Sequence, residues 1–247
     1  MISVIIPVYN TSKELKKCLE SLAQQTFKDP NEIADASHGV NFEVIVVDDG
    51  SAEPVGSEIP NSKFQISKLD IKFFRIQHAG APRARNFGFQ QSRGEFVLFC
   101  DADMELRKDC LAKMKRGLDE NVEIDFVYSD FKFGWKKFHF WEFDADKLKQ
   151  MNYINTCSMV RRDKAVKWDE SLEKFQDWDF WLSIVERGGK GRWIPEVLLR
   201  ANIRRGTMSK WLPKFAYQLP WLRLKTKDNY AYWRKVVREK HNMISNF

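Results

Sequence analysis

The first half of the chain alternates short apolar runs with polar, helix-compatible segments. Residues 2–9 (ISVIIPVY) form a β-branched run that ends at the polar Asn10. Leu15, Cys18, Leu19 and Leu22 follow at a spacing that predicts a helix, with Thr11 and Glu14 placed as a capping box at its start. The run NFEVIVVDD over 41–49 predicts a second strand closed by Gly50, Ile71–Gln77 a third and Glu95–Cys100 a fourth. Between the last two, Ala81–Arg93 is polar and helix-compatible and is introduced by the flexible Ala79-Gly80. VIVV and FVLF are continuously apolar instead of alternating, the mark of strands covered on both faces. Strands alternating with helices predict an α/β fold with a mostly parallel sheet sandwiched by helices. In such a sheet the ligand crevice lies outside the carboxyl ends of the strands. Polar residues gather at those ends: Tyr9-Asn10, Asp48-Asp49 and Asp101-Ala102-Asp103.

The second half is less regular. Phe126–Phe133 and Ile154–Arg162 read as strands, Ala145–Tyr153 as a short helix, and Trp193–Ile203 as a last extended segment. Asp177–Arg187 reads as a helix stopped by Gly188-Gly189. Lys28–Val40 and Ala52–Lys68 read as loops or insertions.

Composition narrows the picture. With 43% apolar and 30% charged residues in 247, the chain has material for a core and is not disordered. No apolar run approaches the roughly 18–20 residues that span a bilayer. The opening MISVIIPVYN lacks a basic leader and a small-residue cleavage site, so it reads as a core strand and not a signal peptide. The four cysteines, 18, 100, 110 and 157, form no CxxC pair and read as buried free thiols of a reducing, cytoplasmic compartment.

Charge is uneven. The formal total is +7, but Arg204–His241 holds eleven Lys or Arg against Asp228 and Glu239, a local +9. The remainder sums to 7 − 9 = −2, so any anionic partner is to be sought at the C-terminus.

Three D-x-D patterns occur, at 101/103, 144/146 and 177/179. Two carboxylates one residue apart can bind Mg²⁺ or Mn²⁺ and leave positions for phosphate oxygens. A hydrophobic strand delivers Asp101 and Asp103 to the crevice, whereas Asp144 and Asp146 suit the start of a helix. Asp49 after VIVV can accept the ring N–H of a pyrimidine and Tyr9 can stack on it, although D-G is also a plain turn signal. There is no GxGxxG and no GxxxxGK[ST], and the four histidines are too scattered to suggest a metal site.

The series VIIPVYN, VIVVDDGS, AGAPRARNFG, RGEFVLFCDAD and QDWDFW, in that order, resembles the family 2 glycosyltransferases, inverting enzymes of the Rossmann-like GT-A fold. The resemblance covers about residues 2–205. It implies a catalytic domain at 1–205, beyond which residues 206–247 read as a basic, aromatic-rich, helical C-terminal extension. It also implies that Pro7, Tyr9 and Asp49 hold the nucleotide base, and that Arg85 and Asn86 lie along the nucleotide and donor sugar. Asp101 would contact the ribose or sugar and share the metal with Asp103, the metal being Mn²⁺ or Mg²⁺ on the diphosphate. Asp177, matching the acid of the family's Glu-Asp pair, would be the catalytic base. Phe175, Trp178, Phe180 and Trp181 give it apolar surroundings that raise a carboxylate's pKa, as a general base requires. Asp179 is the competitor, but residues two apart on a helix face different ways. Three features depart from the family pattern: Gln176 replaces the usual Glu, the Lys28–Val40 loop is longer than usual, and Ile203-Arg204-Arg205-Gly206 stands where a His is frequent. Arg204 there suits diphosphate contact.

The implied reaction moves a sugar from a nucleotide-diphosphate sugar, UDP-linked by preference, to a hydroxyl of a glycan or lipid-linked acceptor in cell-envelope polysaccharide synthesis. A non-catalytic nucleotide-sugar-binding protein of the same fold and a nucleotidyltransferase are the alternatives. For the tail, two readings stand side by side. Cations interleaved with Trp211, Phe215, Tyr217, Trp221, Tyr230, Tyr232 and Trp233 suit an anionic membrane surface on the cytoplasmic face, and they equally suit helices packing on the domain. The body offers no basic groove for nucleic acid.

Overall fold

The alternation of faces along the first strand sets the architecture. In β1 (Ile2–Val8), Ile2, Val4, Ile6 and Val8 turn to one side of the sheet and Ile5 to the other, and all five are buried. The structure, a computed structural model, describes residues 1–26, 42–55, 69–202 and 225–243. After β1 come α1 (Ser12–Ala23), β2 (Phe42–Asp48), β3 (Asp70–Arg75), α2 (Ala81–Gln91), β4 (Phe96–Phe99), β5 (Met104–Leu106) and α3 (Cys110–Asp119). The second half contributes β6 (Phe126–Phe133), β7 (Lys136–Phe138), α4 (Ala145–Gln150), β8 (Met159–Arg161), α5 (Gln176–Glu186), β9 (Gly191–Ala201) and α6 (Lys225–Lys240).

The described strands form one nine-stranded sheet in the order β3-β2-β1-β4-β8-β6-β9-β5, with β7 paired to β6. Six strands (β1, β2, β3, β4, β6, β9) run one way and three (β5, β7, β8) run the other, so the sheet is mostly parallel, as the sequence predicts. One layer, α1 and α3, covers the aliphatic face through Leu15, Leu19, Leu22, Leu111, Met114 and Leu118. The other layer is aromatic: Phe99, Phe126, Trp168, Trp178, Phe180 and Trp181 lie under α2, α4 and α5. Gly88 lets α2 lie close on β1, since a Cβ there would stand 2.5 Å from Ile5 Cγ2.

Register places the polar ends together. Val8 is level with Asp48 and Ile5 with Phe99, so β1, β2 and β4 finish at one edge, presenting Tyr9, Asp49 and Asp101. Asp144 caps α4 by accepting from the Lys147 amide at 2.9 Å, as its position in the sequence predicts.

The structure corrects several local expectations. Thr11 precedes α1, but its hydroxyl makes no capping hydrogen bond. The 154–162 strand shrinks to Met159–Arg161 because Ile154–Ser158 serve the aromatic core and a turn, with Ser158 Oγ donating to the Asn155 carbonyl. α3 lies where no helix was expected, its buried face Cys110, Leu111, Met114 and Leu118 following a helical period. All four cysteines are free and buried, with Cys18 and Cys100 sulfurs 3.7 Å apart. No helix among the described residues is long and apolar enough to cross a membrane. The Lys28–Val40 loop, Arg204 and its neighbours, and Trp211, Phe215, Tyr217 and Trp221 lie outside the described residues.

Candidate active site

Two clusters occupy the carboxyl edge. At the ends of β1 and β2, Asp49 is buried and its carboxylate accepts from the Ala79 and Gly80 amides, each at 2.9 Å, while His78 Nδ1 lies 2.8 Å from Oδ2. Three contacts leave about one of a carboxylate's four lone-pair positions for a ligand. His78 also stacks on Tyr9, with ring centroids 4.0 Å apart and planes 15° apart, covering one face of that ring. Gly50, at φ +74°, makes this close approach possible, because a Cβ there would meet the His78 backbone nitrogen at 2.8 Å. The preceding Asp48 serves the fold instead, accepting from the Ser51 and Val55 amides and pairing with Arg75. Pro7 sits half-buried within β1, level with Val47.

The second cluster lies at the end of β4, two strand spacings or roughly 10 Å from β2. Arg85 on α2 is nearly fully buried and joins it together. One guanidinium nitrogen donates to Asp101 Oδ1 at 2.8 Å and the other to Gln176 Oε1 at 3.2 Å. Its carbon lies 4.5 Å from the centre of the Trp168 ring. A single cation thus links the D-x-D turn to the first turn of α5, where Asp177 follows Gln176. Phe175, in the left-handed region at φ 58°, turns the chain into that helix, pinned between Trp178 and Tyr230.

Asp177 Oδ1 accepts from Asn152 Nδ2 at 3.0 Å and from the Trp178 amide at 2.9 Å. Burial pushes its pKa up and the nearby Asp101 charge adds to this, while the Asn152 and Trp178 hydrogen bonds and the Arg85 charge pull it back; the net direction is upward. A carboxylate so placed can take a proton from a hydroxyl near neutral pH. Asp103 follows Asp101 on the turn before β5, and its carbonyl accepts from the Asn202 amide at 3.0 Å just after β9.

Of the residues singled out by sequence, Arg85 and Asp101 meet directly, Asp177 follows the Gln176 that Arg85 also holds, Asp103 lies two residues past Asp101, and Tyr9 and Asp49 form the neighbouring cluster through His78. Asn86 is buried and its side chain is engaged within the fold. Its amide nitrogen donates to the Trp168 carbonyl and Glu170 Oε1, each at 2.9 Å, and its oxygen accepts from the Trp168 amide at 2.9 Å. The resemblance implies a position along the nucleotide; the structure shows its side chain bracing α2 against the segment that carries Trp168. Sequence reasoning missed Asn152, Trp168 and His78. Only His78, directly before AGAPRARN, carried any local signal.

Residues 3–171 match the family model described as "Glycosyl transferase family 2". The chain belongs to that family. An uncharacterized glycosyltransferase of Haemophilus influenzae is 27% identical over 201 residues, 75% of this chain and 62% of the relative. Among solved structures, the 1–349 fragment of Staphylococcus aureus TarS in complex with UDP superposes with a TM-score of 0.66 at 23% identity, over 82% of this chain and 60% of that one. The mannosyltransferase PcManGT of Pyrobaculum calidifontis, in complex with GDP-Man and Mn²⁺, gives a TM-score of 0.64 at 15% identity, over 99% of this chain and 65% of that one. The chain therefore spans somewhat under two thirds of the Haemophilus relative and of the two solved chains, and the two structures share its fold.

Proposed function

We propose that this chain transfers a sugar from a nucleotide-diphosphate donor, UDP-linked by preference, to a hydroxyl of a glycan or lipid-linked acceptor in cell-envelope polysaccharide synthesis, with inversion at the anomeric carbon. The observation that carries this reading is the Asp101–Arg85–Gln176 link, which sets a partly buried carboxylate of raised pKa, Asp177, beside the D-x-D turn. That TarS and PcManGT were solved with UDP and with GDP-Man supports the donor class.

In this reading Tyr9, Pro7 and Asp49 hold the base on the β1–β2 side, and Arg85 and Asp101 face the sugar and diphosphate. Arg204, two residues beyond the Asn202 that is fastened to Asp103, would meet phosphate oxygens. Asp177 accepts the proton of the acceptor hydroxyl as its oxygen bonds to C1, and the C1–O bond to the diphosphate breaks with its electron pair. The products are a glycoside of inverted configuration and a nucleoside diphosphate.

For a divalent cation the donor set is suited though sparse. Asp101 has one oxygen engaged by Arg85, and among the described residues no group of three or more His, Cys, Asp or Glu gathers into a metal cage. Asp103 with Asp101 fits Mg²⁺ or Mn²⁺ that completes its shell with phosphate oxygens and water. When bound, such an ion neutralises charge on the departing diphosphate.

The described part of the C-terminal extension packs on the domain through Val237, Trp233 and Val236. Contact with an anionic membrane surface would rest on the aromatics of 211–221 and the exposed side of α6. The deciding experiment is a panel of nucleotide sugars with and without Mn²⁺, read by thermal shift and by product. A ligand of the native state raises its melting temperature. Release of a nucleoside diphosphate supports the transferase, release of inorganic diphosphate would make the chain a nucleotidyltransferase, and binding without turnover would make it a binding protein.

A further inference from the structure

Between α4 and the C-terminal half of α6 runs a groove of about 570 Å³ lined by Lys149, Gln150, Arg234, Arg238, His241, Asn242 and Met243. Its cations are poorly neutralised. Arg234 donates to the Gln150 carbonyl at 3.3 Å and Arg238 to the Met243 carbonyl at 3.0 Å, and neither has a carboxylate within ion-pair distance among the described residues. Among the described residues Lys149 pairs with Asp146, an exposed aspartate. His241 is already committed to Asp179 and Glu186 on the α5 side, so the groove's positive charge comes from the two guanidiniums and the lysine. Arg234 and Arg238 stand one helical turn apart, about 6 Å, and each is held from behind by a backbone carbonyl, which leaves its remaining N–H groups for a ligand.

The groove adjoins the reaction centre through the chain itself. Gln150 lines it, and Asn152, two residues on and therefore within about 7 Å along the backbone, holds Asp177 Oδ1 at 3.0 Å.

We propose that this groove seats a phosphate-bearing segment of the acceptor, positioned so that a neighbouring hydroxyl reaches Asp177. The proposal rests on the transferase reading above. Paired guanidiniums match phosphate oxygens in a way that a lysine cluster does not, and the concave shape admits a polymer or head group more readily than a flat bilayer.

The test titrates the whole chain with short-chain inorganic polyphosphate and, separately, with UDP, by calorimetry. Three proteins are compared: wild type, Arg234→Glu/Arg238→Glu, and the charge-matched control Lys13→Glu/Lys17→Glu on α1. Polyphosphate should bind the wild type and the control alike and the groove variant at least about tenfold more weakly, with hydrogen-exchange protection at 149–153 and 238–243. Absence of polyphosphate binding, equal weakening in both variants, or protection elsewhere overturns the proposal. So does a groove variant that loses sedimentation with phosphatidylglycerol vesicles while keeping polyphosphate affinity, which would assign the groove to membrane. UDP titration separates the two readings: a wild type that binds polyphosphate but no nucleotide sinks the donor assignment and leaves the groove standing.

Discussion

Two aspartates on the first turn of α5, one residue apart from each other, live in opposite chemical worlds. Asp177 lies on the side of Asn152 and Arg85, where its hydrogen-bond partners are a neutral amide side chain and a backbone N–H, and burial raises its pKa. Asp179 turns toward α6, where His241 Nε2 lies 2.9 Å and Lys240 Nζ 2.7 Å away, and His241 is buried against it. Burial alone would lower the His241 pKa, but its hydrogen bonds to Asp179 and Glu186 raise it above the ordinary histidine value. The difference teaches how to sort buried acids. An acid paired directly with cations is a fastening, whereas a partly buried one hydrogen-bonded to neutral donors retains a proton affinity that chemistry can use.

The comparison can be broken most forcefully at Asp177. Asp177→Asn should cut transfer by roughly 10²–10⁴-fold with UDP affinity kept, and should leave the melting temperature unchanged or higher, since a poorly compensated buried charge is removed. An active Asp177→Asn enzyme would end the assignment. Next in size is the fastening. His241→Ala strips Asp179 of a buried partner and should cost about 3 kcal/mol in chemical denaturation, without altering kcat per folded molecule.

The brace beneath Arg85 comes third. Asn86→Ala leaves the Trp168 amide and carbonyl without their partner and should cost about 2 kcal/mol, visible in the same denaturation assay. The gentlest probe is pH. Activity should appear as pH rises through the raised pKa of Asp177, and Gln176→Glu, by adding a carboxylate beside it and pairing with Arg85, should move that limb to higher pH. Stability should run the other way. Because His241 has its pKa raised in the folded state, its contribution is complete below the unfolded value near 6.5 and is lost as pH rises through the folded one. A stability profile that climbs with pH in that window would contradict the clasp.

Legibility followed the type of core. The parallel strands β1, β2 and β4 are continuous aliphatic runs with polar stops, and their bounds and their edge of the sheet could be read nearly residue by residue. The aromatic half resisted. Phe126 and Tyr128 on β6 meet Trp181 and Tyr153 from distant segments, and Trp168 meets Phe99 and Phe180, ring contacts that leave no period in the sequence. The same holds for the site. Asp101, Asp103 and Asp177 announced themselves by motif, while Asn152 shows nothing in its neighbourhood that marks it as the partner of Asp177.

By itself the chain determined its strands, its crevice edge and the residue types available there, because these depend on local periodicity and on where apolar runs stop. Only the tertiary structure decided which partners each of two like carboxylates meets, that Asn86 braces α2 against the Trp168 segment, and that His78 lies over Tyr9. Those outcomes depend on which distant side chain supplies the second hydrogen-bonding or stacking partner, and that is fixed by how the elements meet in space.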